Sequence, residues 1–146
     1  MAHVMRVDVV DSEKQIFSGI VQYLVAPAAT GEIGIYPHHI SLIGKLKPGV
    51  LRLQIPNQQA QLVLAISGGF LEVQNNQVII LADIIERTEE LDEARLIEQK
   101  TAALARLKHH SSSSPSTEVA KAQASLEIAI AQLKALEYIR RQARRS

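Results

Sequence analysis

The sequence has no cysteine and no tryptophan, and only two phenylalanines and three tyrosines. Without cysteine there is no disulfide, no thiolate metal site and no cysteine nucleophile. So few aromatics provide no stacking platform for single-stranded nucleic acid. Neither sign of charge dominates: 16 Lys and Arg face 15 Asp and Glu, a net charge of +1. That balance argues against bulk electrostatic capture of nucleic acid or of a membrane surface. No stretch approaches the roughly 18 uninterrupted apolar residues of a membrane span, and Met1–Val10 alternates polar and apolar residues where a secretory signal would carry a basic head and an apolar run. A cysteine-free chain with these features is expected in a reducing cytoplasm, associated with a membrane only through a partner.

Glycine is missing from the whole second half. All seven glycines lie between Gly19 and Gly69, four of the five prolines lie between Pro27 and Pro56, and Pro115 stands alone afterwards. Glycine and proline punctuate strands and interrupt helices, so this break predicts a change of architecture. Segments rich in Val, Ile and Leu (4–10, 20–26, 40–46, 50–55, 61–66, 70–74 and 77–84) read as short strands. Turn formers separate them at Pro37-His38, Pro48-Gly49, Pro56-Asn57, Ser67-Gly68-Gly69 and Asn75-Asn76. Many short strands at this spacing predict an antiparallel β-sandwich or barrel over 1–87.

The remainder, 88–146, predicts an antiparallel two-helix hairpin, giving an α+β chain. Thr88 is the expected cap of the first helix, with Glu89 and Glu90 near its positive end, and Ala94, Ile97, Thr101 and Leu104 mark one face. The run from His109 to Ser114 interrupts the pattern as a linker, and Ser114-Pro115 is the expected start of the second helix. Val119, Ala122, Leu126, Ala129, Leu133, Leu136, Arg140 and Ala143 then step by three and four, a heptad seam. An alanine-rich seam lets helices approach closely but buries little area per residue. The hairpin is therefore expected to be docked lightly.

No constellation for catalysis stands out, so the chain is expected not to be an enzyme. The adjacent pairs His38-His39 and His109-His110 diverge on a strand or a helix and make poor metal clamps. Ser67-Gly68-Gly69 lacks the helix start and lysine of a phosphate cradle and is expected to be a tight turn. The strongest electrostatic feature is the helix tip Arg140, Arg141, Arg144 and Arg145, with no acid among the last seven residues. It suits either a solvated helix end, whose cations offset the negative dipole, or a contact with an acidic partner.

Several segments in order carry a resemblance along essentially the whole chain: Asp8-Val9-Val10 with Phe17-Ser18-Gly19; Gly31-Glu32-Ile33-Gly34-Ile35-Tyr36-Pro37-His38-His39; Lys47-Pro48-Gly49; Ser67 to Gln74; Leu81-Ala82-Asp83; and Leu91-Asp92-Glu93-Ala94-Arg95. Together they resemble the epsilon subunit of bacterial F-type ATP synthases. The resemblance implies a non-catalytic rotor subunit of the central stalk, peripheral on the cytoplasmic face of the inner membrane. Its sandwich would bind the gamma subunit and rest on the c-ring. The loop around Glu32, and His39, match positions at the c-ring contact, and His38 stands where the family's turn has glycine. The helices would extend from the sandwich beside gamma into the alpha and beta subunits and brake ATP hydrolysis, with the tip arginines meeting an acidic segment of beta. Some relatives bind ATP through the hairpin, and Glu86, Asp92 and Arg95 match part of that motif. Leu96 replaces an alanine, and Ile128 and Gln132 stand where such binders carry arginines, so tight ATP binding is not expected and no cofactor is assigned. The alternatives are an ATP-sensing module of the same complex and an unrelated sandwich with a coiled-coil arm.

Overall fold

The computed structural model describes residues 3–109 and 117–145. Eight strands come first: β1 (Met5–Val10), β2 (Gln15–Val21), β3 (Tyr23–Ala28), β4 (Gly31–Ile35), β5 (Leu42–Gln54), β6 (Leu62–Gln74), β7 (Gln77–Ala82) and β8 (Ile85–Arg87). A single 3-10 turn (Thr88–Glu90) leads to α1 (Glu93–His109) and α2 (Thr117–Arg145). The strand order is β2-β1-β7-β6-β5-β3-β4, with β8 added to β6. All ladders are antiparallel except β1 against β7, so the sheet is mixed where a purely antiparallel one was expected.

Two long strands turn this one ladder into a sandwich. β5 and β6 pair from Leu42–Val73 to Leu53–Leu62. The core-facing residues change parity along both: Leu46 gives way to Leu51 and Leu53, while Leu64 and Ile66 give way to Leu71 and Val73. Since strand side chains alternate with a period of two, an odd step moves the inward set to the other face. The step falls at Lys47-Pro48-Gly49 opposite Ser67-Gly68-Gly69, where the paired strands fold over together. Both segments were expected to be turns between separate strands; each lies inside one continuous strand. Gly69 is fixed by this geometry, for it takes φ +145 and a β-carbon there would stand 1.9 Å from the Leu81 carbonyl oxygen. The folded ladder encloses a core of Val7, Val9, Leu24, Ile35, Leu51, Leu53, Leu64, Leu71 and Ile80, all solvent-free.

Other boundaries also shift. Residues 20–26 hold parts of β2 and β3, and the Glu32 segment is strand β4, not a loop. The turns at Pro56-Asn57 and Asn75-Asn76 are present, with Asn57, Asn75 and Asn76 at φ 65, 52 and 59. His38 also takes a left-handed φ of 65, as a glycine would, and its N–H donates to Asn76 Oδ1 at 2.9 Å.

Thr88 does not cap α1. It is buried in the 3-10 turn, and Asp92 takes its place, its Oδ1 accepting from the Ala94 N–H at 3.1 Å. The face of Ala94, Ile97, Thr101 and Leu104 points outward, with Ile97 50% and Leu104 41% exposed. Leu96, Ala103 and half-buried Leu107 are the packed side of α1. On α2, Ala122 and Ala129 are buried and Val119, Leu126, Leu133 and Leu136 half-buried, matching most of the expected seam. Of the expected linker from His109 to Ser114, His109 is the last residue of α1, and the rest, with the cap at Ser114-Pro115, lies outside the described residues.

Candidate functional site

The place where α2 meets the sandwich is a small, mixed surface. Val50 of β5 and Val63 and Ala65 of β6 point away from the main core and close over Ala135, with Leu91, Tyr138 and Ile139 at the margin. These form a cluster separate from the main core, so the sandwich does not need the helix to complete itself. Polar clasps flank it: the Gln61 N–H donates to Gln142 Oε1 at 2.5 Å, and Gln132 Nε2 donates to Glu86 Oε2 at 2.5 Å. The sequence seam did not reveal this second face of α2, because Ala131, Ala135, Tyr138 and Gln142 interleave with the α1-facing series. The signal available was the apolar content on both sides of α2.

The tip arginines divide. Arg140 forms a two-pronged bridge to Glu93, its Nη1 donating to Oε1 at 3.0 Å and its Nη2 to Oε2. This ties the end of α2 to the start of α1, and the Arg140 hydrogen bond, more than its charge, holds the Glu93 carboxyl below its usual range. Arg141 Nη2 donates to Glu137 Oε1 at 2.6 Å along the same helix, while Arg144 and Arg145 are exposed. A carboxylate whose folded pKa is depressed contributes stability that is full above its unfolded pKa and is lost as pH falls through the folded value. The first turn of α1 is therefore expected to loosen as pH falls below the ordinary glutamate range. Amide exchange of residues 93–97 checks this, with Glu93→Gln as the comparison that shows no such step.

Glu32 is exposed on β4, opposite Pro27 of β3, and its Oε2 lies 3.5 Å from Arg52 Nη2. His39 is half-buried, with Nδ1 2.8 Å from the Ile40 carbonyl oxygen. Ile40 beside it is 79% exposed. Ile43, Phe70 and Leu81 are 77%, 57% and 51% exposed. Phe70 pairs in register with Leu81, and Ile43 with Glu72, which puts all three on the outer face of β5, β6 and β7. Asp8 extends that face, accepting from Ser18 Oγ at 2.6 Å, a bond that lowers its pKa.

Glu86, Asp92 and Arg95 are not gathered into one site. A cleft of about 330 Å³ between the helices is lined by Glu86, Gln99, Ala102, Ala103, Arg106, Ser125, Ile128 and Gln132. Asp92 is spent on its cap, Arg95 is exposed, and neither lines the cleft. Among the described residues Arg106 is the one cation in the lining, which also carries the Glu86 carboxylate, so a triphosphate would find little charge compensation there. Among the described residues no group of three or more His, Asp or Glu could hold a metal ion, and no helix is long and apolar enough to cross a membrane.

A sandwich that carries a separately packed helical pair on one face and bares apolar side chains on another is built for docking to other proteins. Comparison with known proteins is consistent at every level. Residues 4–88 match the family described as ATP synthase, Delta/Epsilon chain, beta-sandwich domain, and residues 89–137 match its long alpha-helix domain. The chain is 48% identical over 139 residues to the ATP synthase epsilon chain of Chromobacterium violaceum, covering 95% of this chain and 97% of that one. It is 46% identical over 141 residues to that of Nitrosococcus oceani, covering 97% and 98%. A chain in the Euglena gracilis mitochondrial ATP synthase shares the fold with a TM-score of 0.79 at 23% identity, covering 93% of this chain and 82% of that one. The chain belongs to the ATP synthase epsilon chain family, as one of the non-catalytic subunits.

Proposed function

We propose that this subunit works in the central stalk, where its sandwich joins the gamma subunit to the c-ring and its helices form a movable arm that brakes ATP hydrolysis. The observation that carries the reading is the independence of the two parts. The arm rests on Val50, Val63 and Ala65 through Ala135, apart from the core that folds the sandwich. Burying a few small side chains is worth only a few kcal/mol, at about 0.8 kcal/mol per methylene, so a competing surface can take the arm away. In the extended state, among the alpha and beta subunits, Arg140 exchanges Glu93 for an acidic partner, joined by Arg141, Arg144 and Arg145. The matched long-helix domain ends at residue 137, ahead of this tip.

On this reading the outer face of Ile43, Phe70 and Leu81 meets gamma, and the end bearing Glu32, His39 and Ile40 meets the c-ring, which fixes the chain at the cytoplasmic face of the bacterial inner membrane. Apolar side chains ringed by Asp8, Lys45 and Glu72 have the mixed character of a protein interface. Glu86, Asp92 and Arg95 have no part in tight ATP binding. The test is co-purification. Ile43→Glu with Phe70→Glu is expected to lower gamma recovery at least tenfold, since removing central apolar anchors costs about 2 kcal/mol or more. Thermal unfolding of the free subunit should stay within a few degrees of the parent. Full recovery of gamma with the double variant places the contact elsewhere.

A further inference from the structure

Strand β4 and the C-terminal part of α2 are joined by two separate chains of contact. In the first, the Glu32 carboxylate lies 3.5 Å from the Arg52 guanidinium, which in turn sits 4.6 Å from the centroid of the Tyr138 ring on α2. In the second, the Tyr36 ring, just past β4, stacks on Tyr23 at 5.4 Å. Tyr23 Oη accepts from Gln61 Nε2 at 3.1 Å, and the Gln61 backbone is clasped by Gln142 of α2. Both chains begin on the outward side of the 31–36 segment, at exposed residues, and both end within four residues of Arg140. Glu32 and α2 also share the walls of one groove of about 360 Å³, Glu32 and Pro27 on one side and Glu127, Ile130 and Lys134 on the other.

Arg52 is the vulnerable link. Its side chain is only 20% exposed, and among the described residues its Nε is buried without a hydrogen-bond partner. Its charge is offset by one carboxylate and one ring face. We infer that Arg52 couples the β4 surface to the arm: a cationic group of a partner that engages Glu32 drives release of α2. The sign follows from burial. With Glu32 turned to another cation, Arg52 is left partly desolvated with no anion, and that penalty exists only while α2 covers it. Lifting α2 returns the guanidinium to water. The coupling is reciprocal, so a released arm strengthens the hold of Glu32 on its cationic partner. This rests on the reading of β4 as a partner contact and α2 as a movable arm, and it makes the first a control on the second.

The chain has no native cysteine, so two introduced ones carry spin labels cleanly. Full-length protein labelled at Glu72→Cys and Lys121→Cys, both exposed positions, gives docked and released distances by pulsed electron resonance. Glu32→Gln, which removes the carboxylate charge, is expected to lower the docked-to-released ratio about three- to fivefold, the size of one partly exposed ion pair. In an Arg52→Met background, which keeps the stem but not the charge, Glu32→Gln is expected to change nothing. An unchanged ratio with Arg52 present, or an equal fall in both backgrounds, overturns the coupling. ATPase assays of arm-truncated complexes read the brake separately. A working brake with a ratio indifferent to Glu32 removes this inference and leaves the proposed function standing.

Discussion

Complexes carrying the subunit cut after Arg87 are expected to hydrolyse ATP on the order of tenfold faster than complexes with the full chain, under conditions where the intact arm is extended. The cut position comes from the fold. β8 ends at Arg87, it pairs with β6 through Leu64–Arg87, and Arg87 Nη2 donates to the Ile16 carbonyl oxygen at 2.7 Å. Ending earlier would damage the sandwich and confuse loss of the brake with loss of the subunit. What the cut uncovers is modest, chiefly Val50, Val63 and Ala65, so the shortened chain should remain folded and bound to gamma. Replacing Arg140, Arg141, Arg144 and Arg145 together by alanine should relieve inhibition less than the cut does, because the helices also occupy space. Hydrolysis rates that stay the same after truncation at every nucleotide condition would falsify the brake.

The division of the chain into strands and helices was legible in the sequence because glycine stops at Gly69 and a three–four pattern starts in the helical part. The joins were harder to see. Lys47-Pro48-Gly49 and Ser67-Gly68-Gly69 carry turn chemistry, yet each bends a strand whose pairing continues on both sides, and only the partner strand decides between bend and turn. The faces of α1 were misplaced for a related reason. Leu96, Ala103 and Leu107 form a second helical series one residue away from Ala94, Ile97 and Leu104, and only the position of α2 decides which of the two is buried. For the candidate site, Glu32 was singled out by resemblance and the tip arginines by charge. Arg52 and Tyr138, which join these two regions, gave no signal, because their significance is a contact between residues far apart in sequence. The same holds for Glu93, whose bridge to Arg140 binds the two helix ends.

Ala135→Glu is expected to free the arm while leaving the sandwich intact, shifting the docked-to-released ratio on the order of a hundredfold toward release. Ala135 has no solvent exposure and faces Val50, Val63 and Ala65, none of which can partner a carboxylate. Its burial belongs to the arm's own cluster, so the penalty acts on docking and leaves the main core alone. The outward face of α1 provides the control: Leu104→Gln is 41% exposed at its parent position and should leave docking as it is. On the proposed function, an arm that cannot rest on the sandwich has the extended position as its remaining packed state in the assembled complex. Ala135→Glu complexes are therefore expected to hydrolyse ATP more slowly than the parent, the opposite of truncation. The two variants both abolish the docked arm, and only a brake made by the extended helices predicts opposite rates from them. Equal, raised rates from both would mean that the docked arm, and not the extended one, restrains the motor.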